Sequence, residues 1–263
     1  MLEGYSVRQL SEQSGHGTDR LRRIVRGWLA KAPPAPQERL DRSHHLIFDG
    51  TFVHRPTSLV ALMDASSGRL IYAQYPVSEN SEKQLRSFFA PLLVRGLNPM
   101  SCTVDGNPHA IRVLRALSPG IIIQRCLVHI QRQGLMWCRR NPRTPMARRL
   151  RDIFVKVTHI RTGPERDQFV AEVIEWETSY GRQIQRRPER GRVFSDIKRA
   201  RSMLLRALPD MFHYLDEDPA IPRSTNRLEG YFSTLKAHYR QHRGLRSATL
   251  PSYFAWYFFC NPK

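Results

Sequence analysis

Three acidic residues stand where a carboxylate is costly or where its neighbours give it work. In Leu46-Ile47-Phe48-Asp49-Gly50-Thr51 the side chains of an extended chain alternate faces, so Asp49 lies opposite Leu46 and Phe48 in the middle of an apolar run. Asp105 repeats the situation at the end of Cys102-Thr103-Val104-Asp105-Gly106, where the glycine lets the chain turn away and leaves the acid at a sheet edge. Two such acids on adjacent strands would repel by about 4 kcal/mol at 4 Å and an effective dielectric near 20. A divalent cation removes that penalty, and an all-oxygen ligand set selects Mg²⁺ or Mn²⁺ over zinc. Taken singly, each aspartate also reads as a turn or capping residue.

The third acid sits in Ser224-Thr225-Asn226-Arg227-Leu228-Glu229-Gly230-Tyr231-Phe232-Ser233-Thr234-Leu235-Lys236. Read as a helix, this segment buries Leu228, Phe232, Leu235 and Tyr239 on one seam. Asn226, Glu229, Ser233 and Lys236 fall on a polar stripe beside it. A carboxylate and a phosphate-binding cation then share one surface, although a solvated amphipathic face would carry the same pattern.

The elements that must hold these residues follow from periodicity. Leu46–Val53, Ser58–Asp64 and Leu70–Val77 read as three short strands separated by Arg-Pro-Thr and Ser-Ser-Gly turns, an antiparallel meander. A helix over 82–97 follows, with Leu85, Phe88, Phe89, Leu92 and Leu93 at helical spacing. Next come a strand over 101–105, a helix over 110–117 and an apolar strand over 121–123 that ends near Cys126. Three strands, helix, strand, helix, strand is the order of the ribonuclease-H-like fold, and it also fits other α/β domains.

Residues 131–223 read as a helical insertion: from Arg132 to Arg206 there are 19 Lys and Arg against 8 Asp and Glu, a net +11. Ahead of the strands, residues 6–29 read as a helix-turn-helix. Val7 and Leu10 start one apolar stripe, Gly15 and Gly17 bracket the turn, and Leu21, Ile24, Val25 and Trp28 form the second stripe. Arg22, Arg23 and Arg26 lie on the opposite face, where a recognition helix meets a major groove or its phosphates; an ordinary basic hairpin packed on the main domain has the same pattern. The Pro-rich stretch Lys31–Gln37 reads as a stiff linker. The expected order is a DNA-binding segment (1–30), a linker (31–43), the first part of an α/β core (44–130), the basic insertion (131–223) and a C-terminal core part with the glutamate helix (224–263).

Composition narrows the partner. The chain has 263 residues and 41% hydrophobic content, enough for a sizeable core. Its 42 Lys and Arg against 23 Asp and Glu leave a formal +19. Nucleic acid is the commonest partner for such a charge, because neutralising phosphates releases their counterions. No apolar run is long enough to cross a membrane, and the aromatic stretch Tyr253–Phe259 reads as packing back onto the core. Cys102, Cys126, Cys138 and Cys260 form no C-x-x-C pair and follow no signal peptide, so a reducing, cytoplasmic and nucleoid-associated setting is expected.

Four local patterns in order carry a family resemblance: Phe48-Asp49-Gly50-Thr51, Val104-Asp105-Gly106, Gln124-Arg125-Cys126-Leu127-Val128-His129, and Thr225-Asn226-Arg227-Leu228-Glu229 through Lys236. With them the stretch from about His44 to Leu245 resembles the DDE transposases of bacterial insertion sequences, in the Mutator-like group. In that group a C-x-x-H element ends the strand after the second acid, and a long helical insertion precedes the glutamate helix. The resemblance implies a ribonuclease-H-like core and catalytic, metal-holding roles for Asp49, Asp105 and Glu229. It implies active-site support from Cys126 and His129, and DNA contact by Lys236 and the Asn226 end of the same stripe.

The expected reaction is DNA strand cleavage and strand transfer by in-line phosphoryl transfer with two divalent ions. The expected partners are transposon-end and target DNA, with the chain acting as a homo-oligomer. The pattern departs from the group at the N-terminus, where the first helix begins a few residues after Met1; a shortened copy is the expectation there. Three alternatives stand beside this reading. Cys126 and His129 could be two zinc ligands, though no second pair stands at suitable spacing. The chain could be another ribonuclease-H-like nuclease, or a non-enzymatic DNA-binding protein derived from a transposase. Trp137 and Trp176 read as core residues or as platforms for an unpaired base.

Overall fold

A computed structural model of the chain describes residues 2–34, 39–186, 192–242 and 244–262. In chain order its elements are α1 (Val7–Ser14), α2 (Thr18–Leu29), β1 (His45–His54), β2 (Thr57–Asp64), β3 (Leu70–Val77), α3 (Glu82–Val94), β4 (Ser101–Val104), α4 (Pro108–Leu117) and β5 (Ile122–Arg125). They continue with α5 (Leu127–Cys138), α6 (Pro145–Lys156), α7 (Gly163–Trp176), α8 (Arg182–Arg186), α9 (Arg192–Ala207), α10 (His213–Asp216), α11 (Asn226–Arg240) and α12 (Leu250–Cys260). This is an α/β chain whose five strands pair both antiparallel and parallel. Part of the Pro-rich linker (35–38) and part of the basic insertion (187–191) lie outside the described residues.

The chain divides into two compact units. The first comprises Met1–Met100, Asn107–Ile121 and Asn226–Lys263, and the second Ser101–Gly106 and Ile122–Thr225. In the first unit β2 pairs antiparallel with β1 on one side and β3 on the other. Strand alternation gives this ladder two apolar faces. Phe48 points to one face and meets Phe88 and Phe89 of α3 at ring-centroid distances of 5.7 and 4.9 Å. Ile47, Leu59, Ala61 and Met63 point to the other, where they share a core with Leu228, Phe232 and Leu235 of α11 and Tyr253, Phe254 and Tyr257 of α12. The aromatic C-terminal run therefore does pack onto the core.

The N-terminal hairpin belongs to the same unit. A reciprocal capping box between Ser6 and Gln9 starts α1, and Gly15, at φ 70°, ends it. The apolar stripe of α2 is only thinly covered: Ile24 stays 45% and Trp28 57% exposed, and no residue of either helix is fully buried. Trp256 of α12 helps hold α2: its indole stacks edge-on to Trp28 at 4.9 Å and donates to the main-chain oxygens of Trp28 and Lys31, and Leu29 packs half-buried against the same core.

In the second unit β4 and β5 run parallel, with Val104 beside Arg125. Helices α5, α6, α7, α9 and α10 surround a core that includes Leu127, Ile130, Phe154, Phe169, Trp176, Leu204 and Tyr214. Gly134 of α5 makes room for the Phe154 ring, which a Cβ at that position would overlap. Trp176 is 3% exposed and donates its indole N–H to the Met146 main-chain oxygen (2.9 Å), and Trp137 packs half-buried on the same core. Both tryptophans are packing residues here. Among the described residues no helix is long and apolar enough to cross a membrane.

Candidate active site

In the first unit, Asp49 lies on the β1 face that carries Ile47, directly across from Ala61 on β2, and is 5% exposed. Its Oδ1 accepts the Gly50 N–H at 2.8 Å. The apolar seam of α11 packs on that same face, which fixes the rotation of the helix and turns its neighbouring polar stripe toward the strand. Glu229 sits in the first turn of α11, where the helix dipole favours a negative charge. The outcome is a pair of carboxylates, Asp49 and Glu229, with oxygens within 4.8 Å of each other.

Two turns along α11, Lys236 donates to the hydroxyl of Thr51, the next residue of β1 on the Asp49 face. Burial holds the Lys236 ammonium below the usual lysine range, Arg240 adds to this, and Asp49 opposes it. Asp49, Glu229 and Lys236 thus share one surface. Asn226, at the first turn of α11, is exposed.

The oxygen pair suits a hard divalent cation. Metal–oxygen bonds of about 2.0–2.6 Å bridge two carboxylates at such a separation with small side-chain adjustment, and two adjacent anions are costly without a cation between them.

The second unit holds the other predicted residues. Asp105 follows β4, and Gly106 after it takes φ +108°, a backbone that a side chain would strain. Arg125, at the end of β5, is 9% exposed, and its Nη2 donates to the Asp105 main-chain oxygen at 3.3 Å. Burial holds the guanidinium below its usual range; Asp105 is the leading group that opposes this, followed by Asp210.

Cys126 is the N-cap of α5, and its N–H donates to the Val104 oxygen at 2.8 Å, continuing the β4–β5 ladder by one residue. Its sulfur accepts the Thr225 N–H (3.3 Å), and the Thr225 hydroxyl lies 3.4 Å from Nδ1 of His129, one turn into α5. Burial pushes the Cys126 thiol up, yet hydrogen bonding and charge from His129, with the Thr225 N–H, hold it below the usual thiol range. The cysteine and histidine therefore form a hydrogen-bonded cluster with Thr225. None of the four cysteines is in a disulfide, and among the described residues none of them belongs to a group of three or more metal-competent side chains.

Asp49, Glu229 and Lys236 thus come together in one unit, and Asp105, Cys126 and His129 lie in the other. Arg22, Arg23 and Arg26 are all exposed on α2, Arg22 in an ion pair with Asp19 (2.9 Å). Sequence reasoning missed Thr51, Arg125 and Thr225. Thr51 was within reach, since it lies two residues from Asp49 on the same strand face. Arg125 and Thr225 stand inside quoted motifs, but their contacts come from segments remote in sequence. The chain matches no protein-family model, and comparison with curated proteins likewise gives no match.

Proposed function

We propose that this chain is a divalent-metal-dependent enzyme that cuts and joins DNA strands, a DDE transposase on a ribonuclease-H-like core, with Asp49, Asp105 and Glu229 as its carboxylates. The observation that carries the reading is the Asp49–Glu229 pair: a buried strand acid and a helix acid, oxygens within 4.8 Å, with Lys236 on the same face. The order of the core elements, three antiparallel strands, helix, strand, helix, parallel strand, agrees with it. So does a formal +19 suited to a polyphosphate partner.

In this reading Asp49, Asp105 and Glu229 hold Mg²⁺ or Mn²⁺, two ions in the working enzyme. Bound divalent ions supply activation of a water or a DNA 3′-hydroxyl and charge stabilisation at the leaving oxygen. Lys236 binds a phosphate oxygen beside the reacting centre, and its tether to Thr51 keeps the ammonium aimed there. Cys126, His129 and Thr225 hold the strand end after β5. Arg22, Arg23, Arg26 and Asn226 contact DNA and do no chemistry. The working form is an oligomer on paired DNA ends in the nucleoid.

The test is a strand-cleavage assay on DNA carrying the flanks of the native locus, with Mg²⁺ or Mn²⁺. Wild-type protein should cleave, and Asp49→Asn, Asp105→Asn and Glu229→Gln should each abolish cleavage with DNA affinity nearly unchanged. DNA binding without any metal-dependent cleavage would move the reading to a non-enzymatic DNA-binding protein derived from a transposase.

A further inference from the structure

Arg125 is an odd residue for the end of a buried strand. It is nine-tenths buried, and its Nε is enclosed with no hydrogen-bond partner. A guanidinium in that position costs desolvation that its contacts only partly return, whereas an apolar side chain would fill the space at lower cost. What the guanidinium does touch is specific. Register places Arg125 beside Val104, so its side chain reaches the following residue, and Nη2 bonds the main-chain oxygen of Asp105. The same guanidinium fills the space over Gly106 that a Cβ would occupy. Gly106 is therefore needed twice: its φ of +108° turns the chain after Asp105, and its bare Cα admits the arginine. Asp105 and Asp210 are the acids whose charge acts on Arg125, and Arg206 acts in the opposite sense.

We infer that Arg125 is a positioning residue for Asp105: its planar fork, seated on the Asp105-Gly106 turn, fixes where the Asp105 carboxylate points. The inference rests on the proposed role of Asp105 as a metal ligand, and extends it to a residue that touches neither metal nor DNA. Ligand-supporting side chains of this kind typically change metal affinity ten- to a hundredfold when removed. Lysine keeps the charge but lacks the planar fork, so it is an informative partial replacement.

The experiment uses the full chain with two readouts. Hydrogen exchange of the peptide spanning Thr103–Asn107 reports the turn, and Mn²⁺ binding followed by electron paramagnetic resonance reports the site. Arg125→Gln should speed exchange in that peptide at least tenfold and weaken Mn²⁺ roughly tenfold, with Arg125→Lys in between. Gly106→Ala, whose Cβ would displace the guanidinium and whose φ of +108° would itself strain the turn, should speed exchange in the same peptide at least as much. In an Asp105→Asn background Arg125→Gln should change Mn²⁺ affinity less than twofold, because a residue acting only through Asp105 has nothing left to act on. Unchanged exchange in Arg125→Gln and Arg125→Lys overturns the positioning role even if the functional reading holds. An equal loss of Mn²⁺ affinity with and without Asp105 shows a merely structural arginine and overturns it too. Mn²⁺ affinity indifferent to Asp105→Asn is the separate failure of the functional reading, and the inference falls with it.

Discussion

Replacing Glu229 by Gln should make the metal-free protein more stable, not less. The Asp49 and Glu229 oxygens lie within 4.8 Å, and two unit charges at that distance and an effective dielectric near 20 repel by about 3.5 kcal/mol. Glutamine keeps the shape and removes the repulsion. It also forfeits the favourable placement of a carboxylate in the first turn of α11, worth about 0.3–1 kcal/mol. With both terms, and the usual context dependence of such figures, unfolding in urea with EDTA should cost about 1–3 kcal/mol more for Glu229→Gln than for wild type. Divalent metal should reverse the order. A ligand at 100 times its dissociation constant stabilises by about 2.7 kcal/mol, a gain that the variant, lacking one ligand, should largely forgo. The reasoning is refuted if Glu229→Gln is destabilised in EDTA, or if Mg²⁺ stabilises it as much as wild type.

Other outcomes follow from packing and charge. Gly134→Ala should cost about 1–3 kcal/mol in unfolding experiments, because its Cβ overlaps the buried Phe154 ring; an unchanged midpoint would mean that the second unit's core yields easily. Tyr214 donates its hydroxyl to the Ile160 oxygen (2.9 Å), and burial pushes the phenol up to about 12 from an ordinary 10.0. A group raised on folding contributes fully below its unfolded value, so this contribution is intact below pH 10 and lost as pH rises toward 12. Tyr214→Phe should therefore lower stability by about 1 kcal/mol at neutral pH and flatten the alkaline decline seen by circular dichroism. DNA affinity should fall steeply with salt, and neutralising Arg23 or Arg26 should each reduce the log–log slope by about 0.9 if it meets one phosphate; an unaltered slope for both removes α2 from the interface.

The parts of the fold legible in sequence are those whose cause is local periodicity. Alternation across Leu46–Thr51 put Asp49 on the correct strand face, and the 3.6-residue seam of Leu228, Phe232, Leu235 and Tyr239 put Glu229 and Lys236 on the stripe beside the packed face. The same logic overreached at α2. Ile24 and Trp28 have helical spacing, yet both remain largely exposed, with Trp256 the ring that Trp28 meets. It was silent on Arg125, because a charged residue at a strand end is ordinarily solvated. The Asp105-Gly106 turn on the neighbouring strand is one of the segments that enclose it. Thr225 was likewise hidden, since it meets Cys126 and His129 from 99 and 96 residues further along the chain.

If the proposed function holds, Asp49, Asp105 and Glu229 bind the same divalent ion, and affinity cleavage reads this out. Fe²⁺ takes the place of Mg²⁺, ascorbate and peroxide generate hydroxyl radicals at the bound iron, and the polypeptide is cut near whatever surrounds it. Three clusters of cuts are then expected, around residues 49, 105 and 229, all suppressed by excess Mg²⁺. Cuts near 49 and 229 but none near 105, or cuts that Mg²⁺ leaves untouched, would contradict it.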